Sequence, residues 1–272
     1  MPGTLYVVAT PIGNLADLTC RAETTLKAVT LIASEDTRTS RKLLKHYNIS
    51  TPLISYHDNN EINQAKNLVN KLNNDESIAL ISDAGTPCIS DPGYRLVHLA
   101  KKEGIEVITI PGPSAVTAAL SVSGLPTDHF YFEGFLPPKK GRKTRFELLE
   151  TLPATVVIFE SPQRVLRTLS DIQNYWGNRV VSICRELTKI YEETFLGSIM
   201  EAEIYFSKSN PKGEFVVLVA KKGYLKILKY AHQVSLAEPT SKVSPYSPLT
   251  KNYHKLHQNT IFLTCLHNRY HL

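Results

Sequence analysis

The sequence predicts an α/β fold in two successive units, followed by a C-terminal tail of different composition. Three observations carry this: short β-branched runs alternate with helical stretches, a Gly- and Pro-rich stretch from Pro111 to Pro138 divides two such groups, and composition shifts at Lys221. In the first group, Leu5–Ala9, Val29–Ala33, Ile78–Ser82 and Val107–Ile110 read as buried strands. Between them, Arg38–Tyr47, Asn60–Leu72 and Tyr94–Glu103 carry apolar residues at helical spacing, and Gly104 is a helix stop. Alternation with near-continuous apolar strands predicts a parallel sheet covered on both sides. In the second group, Val156–Phe159, Val180–Cys184 and Phe215–Ala220 are strands, with Arg164–Ile172 an amphipathic helix. The expected divisions are residues 1–114, 115–222 and a weakly ordered basic tail, 223–272.

The 272 residues include 42% hydrophobic and 21% charged residues, enough to bury a real core. Apolar runs reach about six residues, far short of the roughly 20 of a membrane helix. The first residues lack a basic segment ahead of an apolar run, so no secretory signal is expected and a cytoplasmic location is. The four cysteines form no C-x-x-C pair, and the histidines show no paired-ligand spacing, so no metal is expected. The formal charge of +6 is unevenly spread. Residues 221–272 hold eight Lys/Arg against Glu238 alone, which leaves the body at −1. The high isoelectric point describes the tail.

Ligands of open parallel sheets sit at the carboxyl ends of the strands. Three unusual loops fall at such ends: Ala9–Leu15, Asp83–Gly93 and Pro111–Ala115. Small residues and proline let backbone N–H and C=O groups approach a ligand closely. No G-x-G-x-x-G follows the first strand and no G-x-x-x-x-G-K-[ST] occurs, which argues against dinucleotides and P-loop nucleotides. Asp83 and Asp91 without a nearby lysine suit a ligand carrying little phosphate.

Thr10-Pro11-Ile12-Gly13-Asn14-Leu15, Glu35-Asp36-Thr37-Arg38, Ser55-Tyr56-His57, the Ser82–Gly93 loop, Pro111–Ala115 and Gly213-Glu214-Phe215 occur in unbroken order. In these strings the chain resembles the ribosomal RNA small subunit methyltransferase I family of the tetrapyrrole-methylase superfamily. The resemblance covers residues 3–220. It implies two α/β domains with S-adenosyl-L-methionine in the cleft between them, a homodimer, and 2′-O-methylation of a cytidine in the decoding region of small-subunit rRNA. It implies that the methyl donor meets Pro11, Asp83, Ala84, Gly85, Thr86, Pro87, Ser114 and Ala115 in the first domain. In the second it implies Phe159, Leu187, Gly213, Glu214 and Phe215. Members of the family continue into a small helical C-terminal domain, which nothing after Lys222 resembles.

A ribose hydroxyl is a very weak acid, so its proton must leave during or after attack, which favours a nearby carboxylate or imidazole. The candidates are Glu35, Asp36 and His57, with Glu61 and Asp83 beside them. Asp36 is equally an N-cap, and acids at a first helical turn offset the dipole. Glu160-Ser161-Pro162 and Arg185-Glu186 end second-unit strands and are placed to face the same cleft. Lys139, Lys140, Arg142, Lys143 and Arg145 put five cations in seven positions, which reads as an external RNA-contacting loop. Two alternatives stay open: a small-molecule tetrapyrrole methylase, which needs cations inside its cleft, and a non-catalytic RNA-binding homologue.

Overall fold

The computed structural model describes residues 2–208 and 210–224. The tail from residue 225 onward, including most of the expected extension, lies outside the described residues.

The first unit is a five-stranded, wholly parallel sheet in the order β3-β2-β4-β1-β5. Its strands are β1 (Leu5–Val8), β2 (Leu31–Ser34), β3 (Leu53–Ser55), β4 (Ile78–Ile81) and β5 (Val107–Ile110). Every residue of β2 and β4 is buried, because helices cover both faces. On one face, α1 (Cys20–Ala28) and α2 (Thr37–His46) place Leu26, Leu43 and Leu44 against Val8, Ile32 and Ile81. On the other, α3 (Glu61–Asn73) and α4 (Tyr94–Lys102) set Leu68, Leu72 and Leu96 against Leu5, Ala33 and Leu80. The sequence expectation missed β3, a three-residue edge strand whose residues are all partly exposed.

The second unit has a mixed sheet where the first is wholly parallel. Its sheet runs β6-β7-β10-β8-β9, and only β6 (Phe130–Phe135) and β7 (Thr155–Glu160) pair in parallel. The strand β10 (Phe215–Val219) is antiparallel to β7 and to β8 (Val180–Arg185), which is antiparallel to β9 (Glu193–Ser198). The physical reason is connection length, since β8 and β9 are joined by a short loop that cannot supply a crossover. Strand β10 is apolar at every position because its alternating side chains enter two cores. Phe215, Val217 and Val219 meet α6 (Arg142–Glu150), α7 (Val165–Trp176) and α8 (Ile199–Ser207). Val216 and Leu218 meet α5 (Ala115–Val122), and Ile12 of the first unit joins that same cluster.

The cationic segment is corrected. It is not an external loop of five free charges but a turn running into the first residues of α6, with Gly141 at φ +79°. Arg142 is 5% exposed. It donates from Nε to Asp171 Oδ2 at 2.7 Å, from Nη2 to Thr168 Oγ1 at 2.9 Å and from Nη1 to the Pro137 carbonyl at 3.2 Å. Arg145 donates to Glu133 Oε1 at 2.6 Å and to the Tyr131 hydroxyl at 2.9 Å. These two arginines tie α6 to its own unit. Lys139, Lys140 and Lys143 are exposed.

Candidate functional site

The three strand-end loops are locked into one wall. Thr10 N–H donates to the Gly85 carbonyl at 2.9 Å, and Gly85 N–H donates back to Thr10 at 3.0 Å. Thr10 Oγ1 also donates to the Ser82 carbonyl at 3.2 Å, and Thr86 Oγ1 donates to the Pro113 carbonyl at 3.2 Å. Gly85 sits at φ +84°, a conformation glycine adopts without penalty. In the same loop Cys88 (φ +71°) and Ser90 (φ +63°) are left-handed without that freedom. Such strain, about 1–3 kcal/mol for each residue, gathers at ligand clamps.

The second unit closes on this wall through the loop between β8 and β9. Gly13 is where the two meet: a Cβ there would stand 2.5 Å from Lys189 Cγ and 2.8 Å from Thr188 Oγ1. Lys189 is fixed by Glu186 at 2.8 Å and Glu214 at 3.1 Å. Gly213, at φ +90°, leaves room for the Glu186 side chain that a Cβ would strike.

Between the units lies a cavity of about 400 Å³, within the range of pockets that enclose small ligands. Ile12, Val116, Phe135, Phe159, Leu187, Phe215 and Val216 supply apolar wall, and Phe159 is held edge-on to Phe132 and Phe135. The ionisable carboxylates are Glu35, Asp83, Asp91, Glu160 and Glu214, and among the described residues no Lys, Arg or His lines the cavity. Glu160 is fully partnered, accepting from Arg164, Thr168 and the Ser161 N–H, and Glu214 pairs with Lys189. Glu35, Asp83 and Asp91 have no ion pair with any described cation.

That imbalance shows in their protonation. Burial, with Asp91 and Asp83 nearby, pushes the Glu35 carboxyl up to about 7. Burial raises Asp91 to about 6, against a hydrogen bond from Ser82. Asp83 is raised too, by burial, although it accepts from the Asp36 N–H at 3.0 Å.

Of the thirteen expected donor contacts, Asp83, Ala84, Gly85, Thr86, Ser114, Ala115, Phe159, Leu187, Glu214 and Phe215 line this cavity. Pro11, Pro87 and Gly213 do not. Of the three base candidates only Glu35 lines it. Asp36 caps α2, accepting from Arg38 N–H at 2.8 Å and pairing with its guanidinium, which holds the carboxyl near 2. His57 lies outside the lining, in the connection between β3 and α3, with its carbonyl accepting from the Asn60 and Glu61 N–H groups and its Nδ1 buried without a partner among the described residues. Glu160, Ser161 and Pro162 do line the cavity, whereas Arg185 and Glu186 do not. Ile12 and Asp91 line the cavity too; both stand in strings the sequence singles out, and Asp91 there bears on the ligand's low phosphate content, but neither is among the expected donor contacts. Phe135 carried no signal, since an aromatic residue in a strand reads as core.

The model for tetrapyrrole (corrin/porphyrin) methylases matches residues 4–203. The chain belongs to that family. Within it, the chain is 52% identical over 222 residues to a protein of Halalkalibacterium halodurans named ribosomal RNA small subunit methyltransferase I, covering 81% of this chain and 77% of that one. A Thermotoga maritima protein of the same name is 47% identical over 220 residues, covering 81% of this chain and 99% of that one. The resemblance read from the motifs is thus borne out, and the two-unit α/β fold is that of tetrapyrrole methylases. A solved uroporphyrin-III C-methyltransferase from Thermus thermophilus superposes with a TM-score of 0.56 at 17% identity, covering 83% of this chain and 98% of that one. Such a tetrapyrrole methylase shares the fold alone. No helix among the described residues is long and apolar enough to cross a membrane.

Proposed function

We propose that the protein transfers a methyl group from S-adenosyl-L-methionine to the ribose 2′-hydroxyl of a cytidine in the decoding region of small-subunit rRNA. The observation that carries this reading is a cavity lined by carboxylates and apolar groups, with no basic side chain among the described residues. Its chemistry fits a cationic donor: the apolar wall takes the adenine and methyl groups, and the uncompensated carboxylates favour positive charge. A tetrapyrrole polycarboxylate would meet Glu35, Asp83 and Asp91 with nothing to neutralise it, so that alternative is disfavoured. The names of the relatives supply the rRNA.

In this reading Gly85, Thr86, Ser114, Ala115, Phe159, Leu187 and Phe215 hold the donor, and Asp83, Ala84 and Glu214 border it. Pro11, Pro87 and Gly213 keep the loops in shape. When bound, the donor supplies a methyl group on a sulfonium whose positive charge is lost on transfer. The chain's part is to align the hydroxyl, exclude water and accept a proton. Glu35 accepts it: a carboxyl near 7 is ionised in a useful fraction at neutral pH and remains basic enough to matter. Residues 1–114 and 115–222 act as the two domains. The protein works in the cytoplasm as a homodimer, on naked rRNA or the assembled small subunit, with the exposed Lys139, Lys140 and Lys143, the last paired with Glu147 at 3.8 Å, turned to phosphate.

The test is labelled methyl transfer to naked rRNA and to small subunits, with the modified nucleotide mapped. Label in a cytidine ribose of the decoding region supports the reading. Label in a porphyrinogen carboxylate substrate and in neither RNA overturns it.

A further inference from the structure

Helix α2 carries Arg38, Arg41, Lys42 and Lys45, spaced i, i+3, i+4 and i+7, so all four stand on one stripe. The opposite stripe, Ser40, Leu43 and Leu44, is buried against the first sheet. The helix contains no acidic residue. Arg41, Lys42 and Lys45 are exposed and form no ion pair with any described residue. Arg38 pairs with Asp36 at 2.7 Å, yet its side chain is 86% exposed. Many of the body's other cations are neutralised: Lys27, Lys71, Arg95, Arg142, Arg145, Arg164, Arg179 and Arg185 each have a carboxylate. In a body of net charge −1, three unpaired cations and a fourth on one stripe are a local excess that abundance does not explain.

The stripe starts at the cavity. Glu35 lines the cavity, Asp36 caps the helix, and the Asp36 N–H is anchored on Asp83. From there the four cations extend roughly 10 Å along the helix, at 1.5 Å per residue. Negative charge thus lies inside the cleft and positive charge on the helix leading out of it. A ribose presented to the cleft carries phosphates on both sides, which must stay outside a carboxylate-lined cavity and need cations there.

We infer that the exposed face of α2 formed by Arg38, Arg41, Lys42 and Lys45 is a docking surface for the phosphate backbone of the RNA substrate. This rests on the rRNA reading and adds to it where the polymer lies. Contacts of this kind set affinity and register without reading sequence. They release counterions, so they are visible in the salt dependence of binding.

The test compares wild type with R41A/K42A/K45A on a decoding-region RNA fragment across a salt series, together with methyl-transfer kinetics and donor calorimetry. A second triple variant, K66A/K101A/K102A, removes the same charge from exposed, unpaired positions on α3 and α4, which cover the opposite face of the same sheet. The α2 variant should flatten the slope of log K against log salt by about 2–3 and raise the KM for RNA tenfold or more. Its donor affinity and its kcat at saturating RNA should stay within twofold of wild type, and the second variant should behave as wild type. Equal losses in both triples would mean a general charge effect and would overturn the inference. So would an unchanged slope in the α2 variant, with wild type still binding and methylating RNA, and the rRNA reading would then stand. Loss of binding to phosphatidylserine vesicles with the RNA slope intact would make α2 a membrane surface instead. Wild type that neither binds nor methylates RNA would bring down the rRNA reading and this inference together.

Discussion

Replacing Glu35 by glutamine should make the protein more stable and less active at once. In the folded chain the carboxyl holds its proton to about 7, while in the unfolded chain it releases it near 4.5. The folded state therefore binds the proton more tightly, and stability is lost as pH rises between these values and stays lost above them. At about 1.4 kcal/mol per pH unit, a fully buried group would cost near 3 kcal/mol; water reaches this one, so screening leaves about 1–2 kcal/mol. Glu35→Gln removes that cost. At pH 8 its melting temperature should exceed wild type by about 3–6 °C, at roughly 2–4 °C per kcal/mol for a chain this size. At pH 4 the two should melt together, since wild type is protonated in both states. Activity should go the other way: kcat at pH 8 falls by about 10²–10⁴-fold with the loss of a general base. Wild type should show an acid limb in kcat near pH 7, and the variant should lack it. Scanning calorimetry at the two pH values, with single-turnover methyl transfer across the range, reads both effects. Identical melting at pH 8 would show that Glu35 is not strained by its surroundings. A kcat within threefold of wild type would remove it as the base.

Ala115→Leu places a larger side chain in the cavity wall, and Gly85→Val puts a β-branched residue at φ +84°, at about 1–2 kcal/mol of backbone cost. Both should lower donor affinity at least tenfold by calorimetry, and unchanged affinity in both would sink this placement of the donor. Gly13→Leu should drive the first loop off Lys189 and Thr188, weakening donor binding while far-ultraviolet dichroism shows both sheets intact; full affinity would show that the loop contact is idle. Arg142→Ala leaves Asp171, among the described residues, with only Arg167 at 3.9 Å and should cost about 2–4 kcal/mol, or about 5–12 °C in melting temperature. Its melting point should fall well below that of K139A/K140A/K143A, and equal melting would mean that the buried pair is not structural.

The first unit was legible because each of its central strands is buried on both faces and so reads as an unbroken apolar run. Ile78–Ile81 between turn signals allows little else. Direction is a different matter. Strands β7, β8 and β10 have the same apolar character as β2 and β4, yet β10 runs antiparallel to both neighbours. Burial on two faces sets composition, and only the connections set direction. The connection missing from the sequence expectation was β9, whose residues alternate between half-buried and exposed and include Gly197. Without that edge strand, the hairpin it forms with β8 could not be read. The cationic segment failed for a related reason. Arginines at 142 and 145 look like surface charge until Asp171 and Glu133, from other elements, are brought to them.

The cleft divides along the same line between local and distant causes. Its loops could be found because a tight strand-end turn has local demands, and Gly85 and Pro113 meet them where they stand. Its electrostatics could not. Glu35 and Asp36 are adjacent, similar in chemistry and, in sequence, equal candidates for a base. Their carboxyls are pushed in opposite directions, one to about 7 and the other to about 2. At the junction of β2 and α2 the first side chain enters the cavity beside Asp83 and Asp91, which oppose its charge. The second turns to the helix N-terminus, where Arg38 and backbone N–H groups welcome it. A base must be poised, not merely acidic, and what poises Glu35 is burial in the cleft together with like charge from the loop after β4. That loop lies one strand over in space, because β2 and β4 are neighbours in the sheet. The candidate base is therefore a product of strand order.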